Sequence, residues 1–190
     1  NGTFVNALLY HCKDLMKDDL NLRPGIVHRL DKDTTGLLIA AKHTLAHQRL
    51  VASFAAREVH KEYTAICIGN PGNQEIRTRI GRHPVLRKQM AVLQEGGKEA
   101  HSICKTISYN ERFSLVNIVL ETGRTHQIRV HMKHLNTPIL GCPVYGNPQV
   151  NKKYQVDRQM LHASFLSFNH PITNQHLKFN VEFPSDMKSF

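Results

Sequence analysis

Residues 26–42, IVHRLDKDTTGLLIAAK, contain two short apolar runs separated by a polar turn. The turn carries two carboxylates, Asp31 and Asp33, and ends at Gly36. Short apolar runs that are bounded by turn residues are typical of strands buried in a sheet. We therefore predict two strands, IVHRL and GLLIAAK, with a carboxylate-bearing turn between them.

Several roles compete for the aspartates of this turn. Aspartate side chains commonly accept hydrogen bonds from backbone N–H groups in tight turns, which is a purely structural role. A calcium loop starts with the same D-x-D-x-x-G pattern, but it needs a glutamate at its twelfth position, where this chain has Lys42. The missing glutamate excludes the calcium loop.

Two catalytic roles also compete. A phosphoryl-transfer site would use Asp31 as the nucleophile and hold Mg²⁺ between carboxylates, but it needs further acidic ligands. After Glu121 the sequence offers only isolated acids, which are Asp157, Glu182 and Asp186. Alternatively, a single carboxylate that a nearby arginine keeps ionised could act on a nucleotide without metal or cofactor. The sparse acids favour this last role over phosphoryl transfer.

The charge of the chain indicates a polyanionic partner. Lysine and arginine outnumber aspartate and glutamate by 25 to 15, which gives a net charge of +10. Residues 77–90 carry five cations and no acid, and residues 123–134 carry three cations, three histidines and no acid. Alternating apolar and basic residues over 76–93 predict strands with one charged face, which suits phosphate binding. Solubility alone is the simpler alternative.

The cysteines and histidines narrow the class of protein further. Four cysteines, at positions 12, 67, 104 and 142, form neither a CxxC pair nor a cluster, which indicates reduced thiols in a cytoplasmic protein. No apolar run reaches about 18 residues, so we expect no membrane span. Three histidines have no acid or cysteine close by, so they predict packing or RNA contacts rather than a metal site; they are His126, His131 and His134.

Apolar periodicity predicts three helices. The first covers 3–15, with Phe4, Ala7, Leu8 and Leu15 on one face, and leads into a polar link over 16–25. The second covers 44–57 and the third 124–135. The apolar side of the second helix comprises Leu45, Leu50, Val51 and Phe54.

Strand patterns fill most of the remaining chain. The predicted strands cover 58–69, 76–81, 89–93, 99–108, 112–121, 159–168 and 176–183. The segment EGGK, 95–98, predicts a hairpin turn. Many strands with interspersed helices predict an α+β fold, with a mixed, largely antiparallel sheet and flanking helices.

Four segments resemble the signature motifs of RluA/RluD-type pseudouridine synthases, in the order in which that family carries them. They are RPGIVHRLDKDTTGLLIAAK (23–42), KEYTAICIG (61–69), LETGRTHQIRVHMKHLNTPILG (120–141) and LHASFLSFNHP (161–171). The similarity runs over residues 3–183 and is closest to the RluD-like branch, which modifies large-subunit ribosomal RNA. It implies a sheet with a basic cleft along its middle.

The resemblance implies an isomerase that converts uridine to pseudouridine within RNA and needs neither metal nor cofactor. Asp31, which closes HRLD, would be the catalytic carboxylate, and Arg29 would enter the RNA stack and hold the target nucleotide flipped out. Tyr63 would lie against the uracil ring and assist proton removal from C5. Arg129 would pair with Asp31, and Ile128 would line the pocket wall.

The resemblance also sets expectations for domains and partners. Members of the family begin with strands ahead of the TFVNALLYH helix and many carry an S4 domain, so we expect 1–190 to be one catalytic domain without those parts. Its partner would be large-subunit ribosomal RNA or a pre-ribosomal particle, bound by a monomer in the cytoplasm. Cys142 stands where the family usually has aspartate, and Thr35 where serine is more usual.

A non-catalytic RNA-binding relative is the alternative function. Such a protein would keep the basic strands and could lose Asp31 without consequence. A phosphate-binding surface gains nothing from a carboxylate, so the set of Asp31, Tyr63 and Arg129 favours the enzyme. His28 is expected to make a structural hydrogen bond in the turn rather than to take part in acid–base chemistry.

Overall fold

The computed structural model describes residues 4–12 and 24–190. In chain order its elements are α1 (Phe4–His11), β1 (Thr35–Gly36), α2 (Thr44–Ala55), β2 (His60–Ile68), β3 (Gln74–Arg82), β4 (Met90–Val92), β5 (Lys98–Tyr109), β6 (Phe113–Leu120), α3 (Gln127–His134), α4 (Pro148–Lys153), β7 (Leu161–Asn169), β8 (His176–Asn180) and α5 (Ser185–Lys188). Leu15 and the polar link up to residue 23 lie outside the described residues. In the described part of the chain, no helix has the length and apolar character needed to cross a membrane.

Contacts within the chain define two compact units. The smaller unit contains the described parts of residues 1–30 together with 38–59 and 167–178. The larger unit contains 31–37, 60–166 and 179–190, and most of the sheet belongs to it. The predicted α+β class with a largely antiparallel sheet is confirmed.

In the smaller unit, α2 is buried along a narrow stripe. Leu50 is 3 % exposed, and the ring of Phe54 stacks on His28 with a centroid distance of 4.6 Å. The prediction that Leu45 and Val51 share the buried side of this helix is wrong, because they are 49 % and 43 % exposed. The stripe is therefore narrower than the spacing of apolar residues suggests.

The two strands predicted at IVHRL and GLLIAAK do not form. Ile26 and Ala40 make one isolated antiparallel bridge, and the regular strand within this segment is the two-residue β1. The Nε2 atom of His28 accepts the backbone N–H of Ile39 at 2.8 Å, so that N–H cannot continue a ladder. The structural role expected for His28 is thereby confirmed, and the prediction of strands fails for the same reason.

The sheet of the larger unit has the order β1-β7-β2-β6-β5-β3-β4, and β8 pairs with β7. The pairs from β2 to β4 along this order are antiparallel, whereas β1 lies parallel to β7. Burial alternates along β6, but residues 63–67 of β2 are all buried. A strand that is covered on both faces loses its polar alternation, and this central position puts Tyr63 in the interior.

The segment EGGK is not the hairpin turn that its glycines predict. Both β4 and β5 pair with β3, where Ile80 lies opposite Val92 on one side and Lys98 on the other. The segment therefore crosses the end of β3. A Cβ on Gly97 would lie 2.8 Å from the carbonyl oxygen of Ile80, and φ is 65° there, so this crossing requires glycine.

The third predicted helix begins at Gln127 rather than at residue 124, because the Gln127 side chain fixes a turn before it. Its Oε1 accepts the N–H of Arg124 at 2.9 Å and the hydroxyl of Thr122 at 2.8 Å. Its Nε2 donates to the Ser102 hydroxyl at 2.9 Å. His126, the residue just before α3, has a backbone in the left-handed region with φ 57°, and the helix starts at the next residue.

The sequence analysis missed α4, although its start signal is present. The Asn147 side chain accepts the N–H groups of Gln149 and Val150, and Pro148 occupies the first helical turn. Asparagine before proline is a typical helix start. At six residues, however, α4 is too short for its apolar periodicity to be visible. The four-residue α5 was missed for the same reason.

The buried His131 makes the stability of the larger unit sensitive to acid. Its ring nitrogens contact the hydroxyls of Thr78 and Ser102, both at 2.9 Å. Burial, and then the charges of His134 and His101, lower the pKa of His131 from 6.5 to about 4. Between these two pKa values the unfolded chain binds a proton at His131 and the native chain does not. The free energy of unfolding therefore decreases as the pH falls from about 6.5 to about 4, by up to roughly 1.4 kcal/mol per pH unit.

We expect the urea midpoint of unfolding to fall over this pH window. The variant His131→Gln keeps a side-chain amide that can bond a hydroxyl but cannot titrate, so its midpoint should depend less steeply on pH. Urea titrations of both proteins between pH 4 and pH 7 would measure the difference. Identical slopes would assign the acid sensitivity to other groups.

Candidate active site

Asp31 begins a tight turn whose conformation is fixed by a distant part of the chain. The N–H of Thr34 donates to the Asp31 carbonyl at 3.1 Å, and Asp33 has φ 66°. The amide of Gln159, which is 1 % exposed, donates to the Lys32 carbonyl at 2.8 Å and to the Thr34 hydroxyl at 2.9 Å. Two bonds from one buried amide hold the turn in a single conformation.

Strand β7 holds the end of the same turn. Gly36 pairs with Ala163, and the N–H of Leu37 donates to the Ala163 carbonyl at 2.9 Å. The Thr35 hydroxyl lies 2.7 Å from Nδ1 of His162, a contact that a serine hydroxyl at this position could also make. A Cβ on Gly36 would lie 2.2 Å from the Ala163 carbonyl oxygen at φ 113°, so only glycine fits here.

Arg129 approaches Asp31 from α3. Its Nη1 donates to the Asp31 carboxylate at 3.1 Å, which is the pairing that the family resemblance predicts. The Arg129 side chain is 5 % exposed and that of Asp31 is 21 % exposed. Burial alone would lower the pKa of Arg129, but its contacts with Cys142 and Asp31 raise that pKa above its ordinary value. The pair is thus a fixed carboxylate beside a fixed positive charge, and the carboxylate remains partly open to solvent.

Two further groups fix the guanidinium of Arg129. Its Nε donates to the Cys142 sulfur at 3.4 Å, and the guanidinium carbon lies 5.1 Å from the centre of the Tyr145 ring. The Tyr145 hydroxyl accepts the N–H of Met90 at 2.9 Å and contacts Nδ1 of His126 at 2.8 Å. Arg129 is therefore oriented by a carboxylate, a thiol and an aromatic face.

Cys142 belongs to a turn that positions its sulfur. The sulfur also accepts the N–H of Tyr145 at 3.4 Å, and the Cys142 carbonyl accepts the N–H of Gly146 at 3.0 Å. Aspartate, which the resemblance leads one to expect here, would offer Arg129 an acceptor at the same place. The thiol keeps that acceptor function without a second carboxylate next to Asp31.

Tyr63 lies on β2 opposite Ile118 of β6 and is 8 % exposed. Burial and, in second place, the charge of Asp31 raise the pKa of Tyr63 to about 12. The phenol is therefore protonated at neutral pH. The Asp31 charge contributes to this rise only after burial, and the shared site of Tyr63 and Asp31 stays a prediction.

The other two predicted site residues, Ile128 and Arg29, differ in their exposure. Ile128 is 4 % exposed on α3, immediately before Arg129. Arg29 is an exposed residue of the smaller unit. Their contacts with substrate remain predictions.

Strand β3 presents the charged face that its alternation predicts. Ile76 and Ile80 are 4 % and 2 % exposed, whereas Arg77 and Arg79 are exposed. Arg77 pairs with Glu75 at 2.9 Å, and Nε of Arg79 donates to the Gly96 carbonyl at 2.6 Å. These guanidinium groups are held at the surface, where they can meet phosphates.

Within residues 4–12 and 24–190, no group of three acidic, histidine or cysteine side chains could hold a metal ion. The Asp31 carboxylate faces the Arg129 guanidinium, a cation in the place where a phosphoryl-transfer site would hold Mg²⁺. His131 and His126 bond to hydroxyl groups inside the larger unit, in keeping with the packing role predicted for them.

Sequence reasoning did not predict the contacts of the residues that support this site, although it marked Cys142 as a departure from the family's usual aspartate. Gln159 and His162 lie in or next to the LHASFLSFNHP segment, and Cys142 and Tyr145 lie in GCPVYG. The resemblance marked the first segment as a motif without giving its residues a role. A buried amide, a histidine and a thiol have no periodic signature, so only their contacts reveal what they do.

Comparison with known proteins identifies the class to which this fold and site belong. The sequence profile of the RNA pseudouridylate synthase family matches residues 5–134. The chain belongs to this family, and the resemblance read from its motifs is confirmed.

Individual relatives make the relationship more specific. The chain is 42 % identical, over 99 % of its length, to the ribosomal large subunit pseudouridine synthase D of Zymomonas mobilis, and 45 % identical, over 98 %, to the protein of the same name from Pseudomonas aeruginosa. It spans 62 % and 60 % of those two proteins. The solved structure of human RNA pseudouridylate synthase domain containing 1 superposes with a TM-score of 0.75 at 26 % identity, covering 86 % of this chain and 71 % of the human one.

Proposed function

We propose that this chain is the catalytic part of a pseudouridine synthase that isomerises specific uridines in large-subunit ribosomal RNA. The observation that carries the proposal is the ion pair of Asp31 and Arg129, 3.1 Å long, in a member of the RNA pseudouridylate synthase family. The names of the two bacterial relatives support the choice of RNA. The net charge of +10 supports a polyanionic substrate.

The reaction breaks the bond between N1 of uracil and C1′ of the ribose. The uracil then turns while it is still bound, C5 forms a bond to C1′, C5 loses its proton and N1 gains one. Asp31 either attacks C1′ or removes the proton from C2′, and both routes need an ionised carboxylate. Arg129 stabilises that charge, and the buried contacts of Arg129 keep it in place as the reaction proceeds.

The ring of Tyr63 offers a platform for the detached uracil. Stacking of a base on an aromatic side chain is worth about 1–3 kcal/mol, which offsets much of the few kcal/mol that base flipping costs. Because the pKa of Tyr63 is raised to about 12, its phenol is a weak proton acceptor at neutral pH. We therefore give the ring face of Tyr63 the main role and proton transfer from C5 a secondary one. Ile128 would close the pocket wall, and Arg29 would hold the flipped nucleotide.

The proposal extends to partners and compartment. The substrate would be free ribosomal RNA or a pre-ribosomal particle, the enzyme would act as a monomer, and both would meet in the cytoplasm. A non-catalytic RNA-binding role is less well supported, because a phosphate-binding surface does not need a carboxylate that is fixed by Gln159, β7 and Arg129 together.

Because the isomerisation does not change mass, the test must label pseudouridine chemically. The chain is incubated with a large-subunit ribosomal RNA transcript, without metal or nucleotide, and the RNA is treated with carbodiimide and read by primer extension. We expect new stops at a small number of uridines. The same positions should lose their stops in cells that lack the gene, and unchanged stops in those cells would contradict the proposal.

A further inference from the structure

The loop between β3 and β4, residues 83–89, exposes two aliphatic side chains at its tip. Val85 is 78 % exposed and Leu86 is 51 % exposed. Nδ1 of His83 accepts the backbone N–H groups of both residues, at 3.2 and 3.0 Å, and Arg82 donates to the Arg87 carbonyl at 3.1 Å. The tip is therefore a preformed turn that exposes apolar surface to water. This exposure is unfavourable, and a partner that covered the surface would gain hydrophobic free energy.

The surroundings of the tip are strongly basic. Arg82, Arg87 and Lys88 are exposed, and the nearest acids along the chain, Glu75 and Glu95, lie outside the loop. Aliphatic side chains between cations suit a nucleic acid, whose phosphates take the cations while its bases and sugars offer apolar surface. An acidic protein would also match the charge, but the chain belongs to a family of RNA pseudouridylate synthases, which favours RNA as the occupant.

The base of the loop is tied to the candidate active site. Met90, the first residue after the loop, donates its N–H to the Tyr145 hydroxyl at 2.9 Å. The Tyr145 ring faces the guanidinium of Arg129, which binds Asp31. Three consecutive contacts thus join the loop to the carboxylate, so an RNA strand that enters the site lies within reach of the loop.

We propose that loop 83–89 is a wedge for structured RNA. Val85 and Leu86 pack against bases and sugars of the strand that flanks the target uridine, while Arg87 and Lys88 neutralise its phosphates. Apolar wedges of this kind stabilise an unstacked strand, which is the conformation that base flipping requires. The identity of the RNA rests on the proposed function, whereas the wedge rests on the exposure, charge and anchoring of the loop.

The test compares two double variants with a matched control. Val85→Ser with Leu86→Ser removes the aliphatic tip, and Arg87→Gln with Lys88→Gln removes the cations. The control, Leu45→Ser with Val51→Ser, changes two exposed aliphatic residues of α2, which are 49 % and 43 % exposed. Each protein also carries Asp31→Asn to prevent turnover. Binding to a ribosomal stem-loop transcript, to heparin and to purified ribosomal proteins is measured over a range of salt.

We expect the tip variant to bind the stem-loop about 10- to 100-fold more weakly and to bind heparin normally, because heparin offers no stacked bases. The cation variant should weaken both and reduce the slope of log Kd against log salt by about one per cation. Normal stem-loop binding by a folded tip variant overturns the wedge, and so does an equal loss in the control. If only binding to purified ribosomal proteins is lost, the surface is a protein-docking site and the wedge is refuted. If the tip variant binds RNA more weakly but the wild-type chain converts no uridine, the proposed isomerase activity is refuted and the wedge is not.

Discussion

Asp31→Asn is expected to abolish uridine conversion, with a loss of rate on the order of 10⁴-fold or more. Asparagine nearly matches aspartate in size, but it can neither attack C1′ nor remove a proton from C2′. Its amide oxygen can still accept Nη1 of Arg129, so the fold should lose only about 1 kcal/mol of unfolding free energy as a charged hydrogen bond becomes a neutral one. Single-turnover conversion, read by carbodiimide labelling, and filter binding to the same transcript separate chemistry from affinity.

Asp33 provides the matched control within the same turn. Asp33 is exposed, and Arg158 contacts its backbone carbonyl rather than its carboxylate. Asparagine also tolerates the φ of 66° found at this position. Asp33→Asn should therefore convert uridine at close to the wild-type rate. Equal activity of Asp31→Asn and Asp33→Asn would show that the Asp31 carboxylate takes no part in the reaction.

Arg129→Lys is expected to have the second largest effect, a fall in conversion of about 10²- to 10³-fold. The guanidinium bonds Asp31 through Nη1 and the Cys142 sulfur through Nε at the same time. Lysine has one nitrogen and cannot make both bonds, although it keeps the positive charge. RNA affinity should change little, so kcat should fall while KM stays close to the wild-type value. A wild-type kcat in this variant would contradict the proposed role of Arg129.

Cys142 offers a graded version of the same experiment. Cys142→Ser keeps an acceptor for Nε of Arg129, and we expect its rate to stay within about threefold of wild type. Cys142→Ala removes the acceptor, and the loss of one hydrogen bond of about 1.4 kcal/mol corresponds to a tenfold fall. Equal losses in the serine and alanine variants would mean that the sulfur matters for its volume rather than for its bond to Arg129.

The sequence predicted best where one physical preference decides the structure. In β3, the apolar Ile76 and Ile80 alternate with the charged Arg77 and Arg79 because the strand has one covered face, so period-two alternation found this strand. The prediction of strands failed at IVHRL and GLLIAAK. Their composition suits a strand, but the His28 ring accepts the hydrogen bond of the Ile39 N–H. The prediction of a hairpin failed at EGGK, because glycine pairs suit a hairpin and a crossing of β3 equally well.

The candidate site was predictable only in part, because its parts are far apart in the chain. Asp31 and Arg129 are 98 residues apart, and no local sequence pattern predicts their contact. Family motifs supplied that pair, together with Tyr63. The same motifs gave no role to Gln159 and marked Cys142 only as a departure from the usual aspartate, because each residue acts through a single buried hydrogen-bonding group. Such groups carry no periodicity, so their partners cannot be read before the fold is known.

The clamping of the HRLD turn by β7 has a consequence for the timing of enzyme maturation. Thr35 and His162 are separated by 127 residues, and translation at about 5–20 residues per second needs roughly 6–25 s to cover that distance. Until then a nascent polypeptide displays the aspartate on an unsupported segment. The proposed activity therefore has to wait until residues 159–163 have emerged from the ribosome and have paired with the turn that carries Asp31.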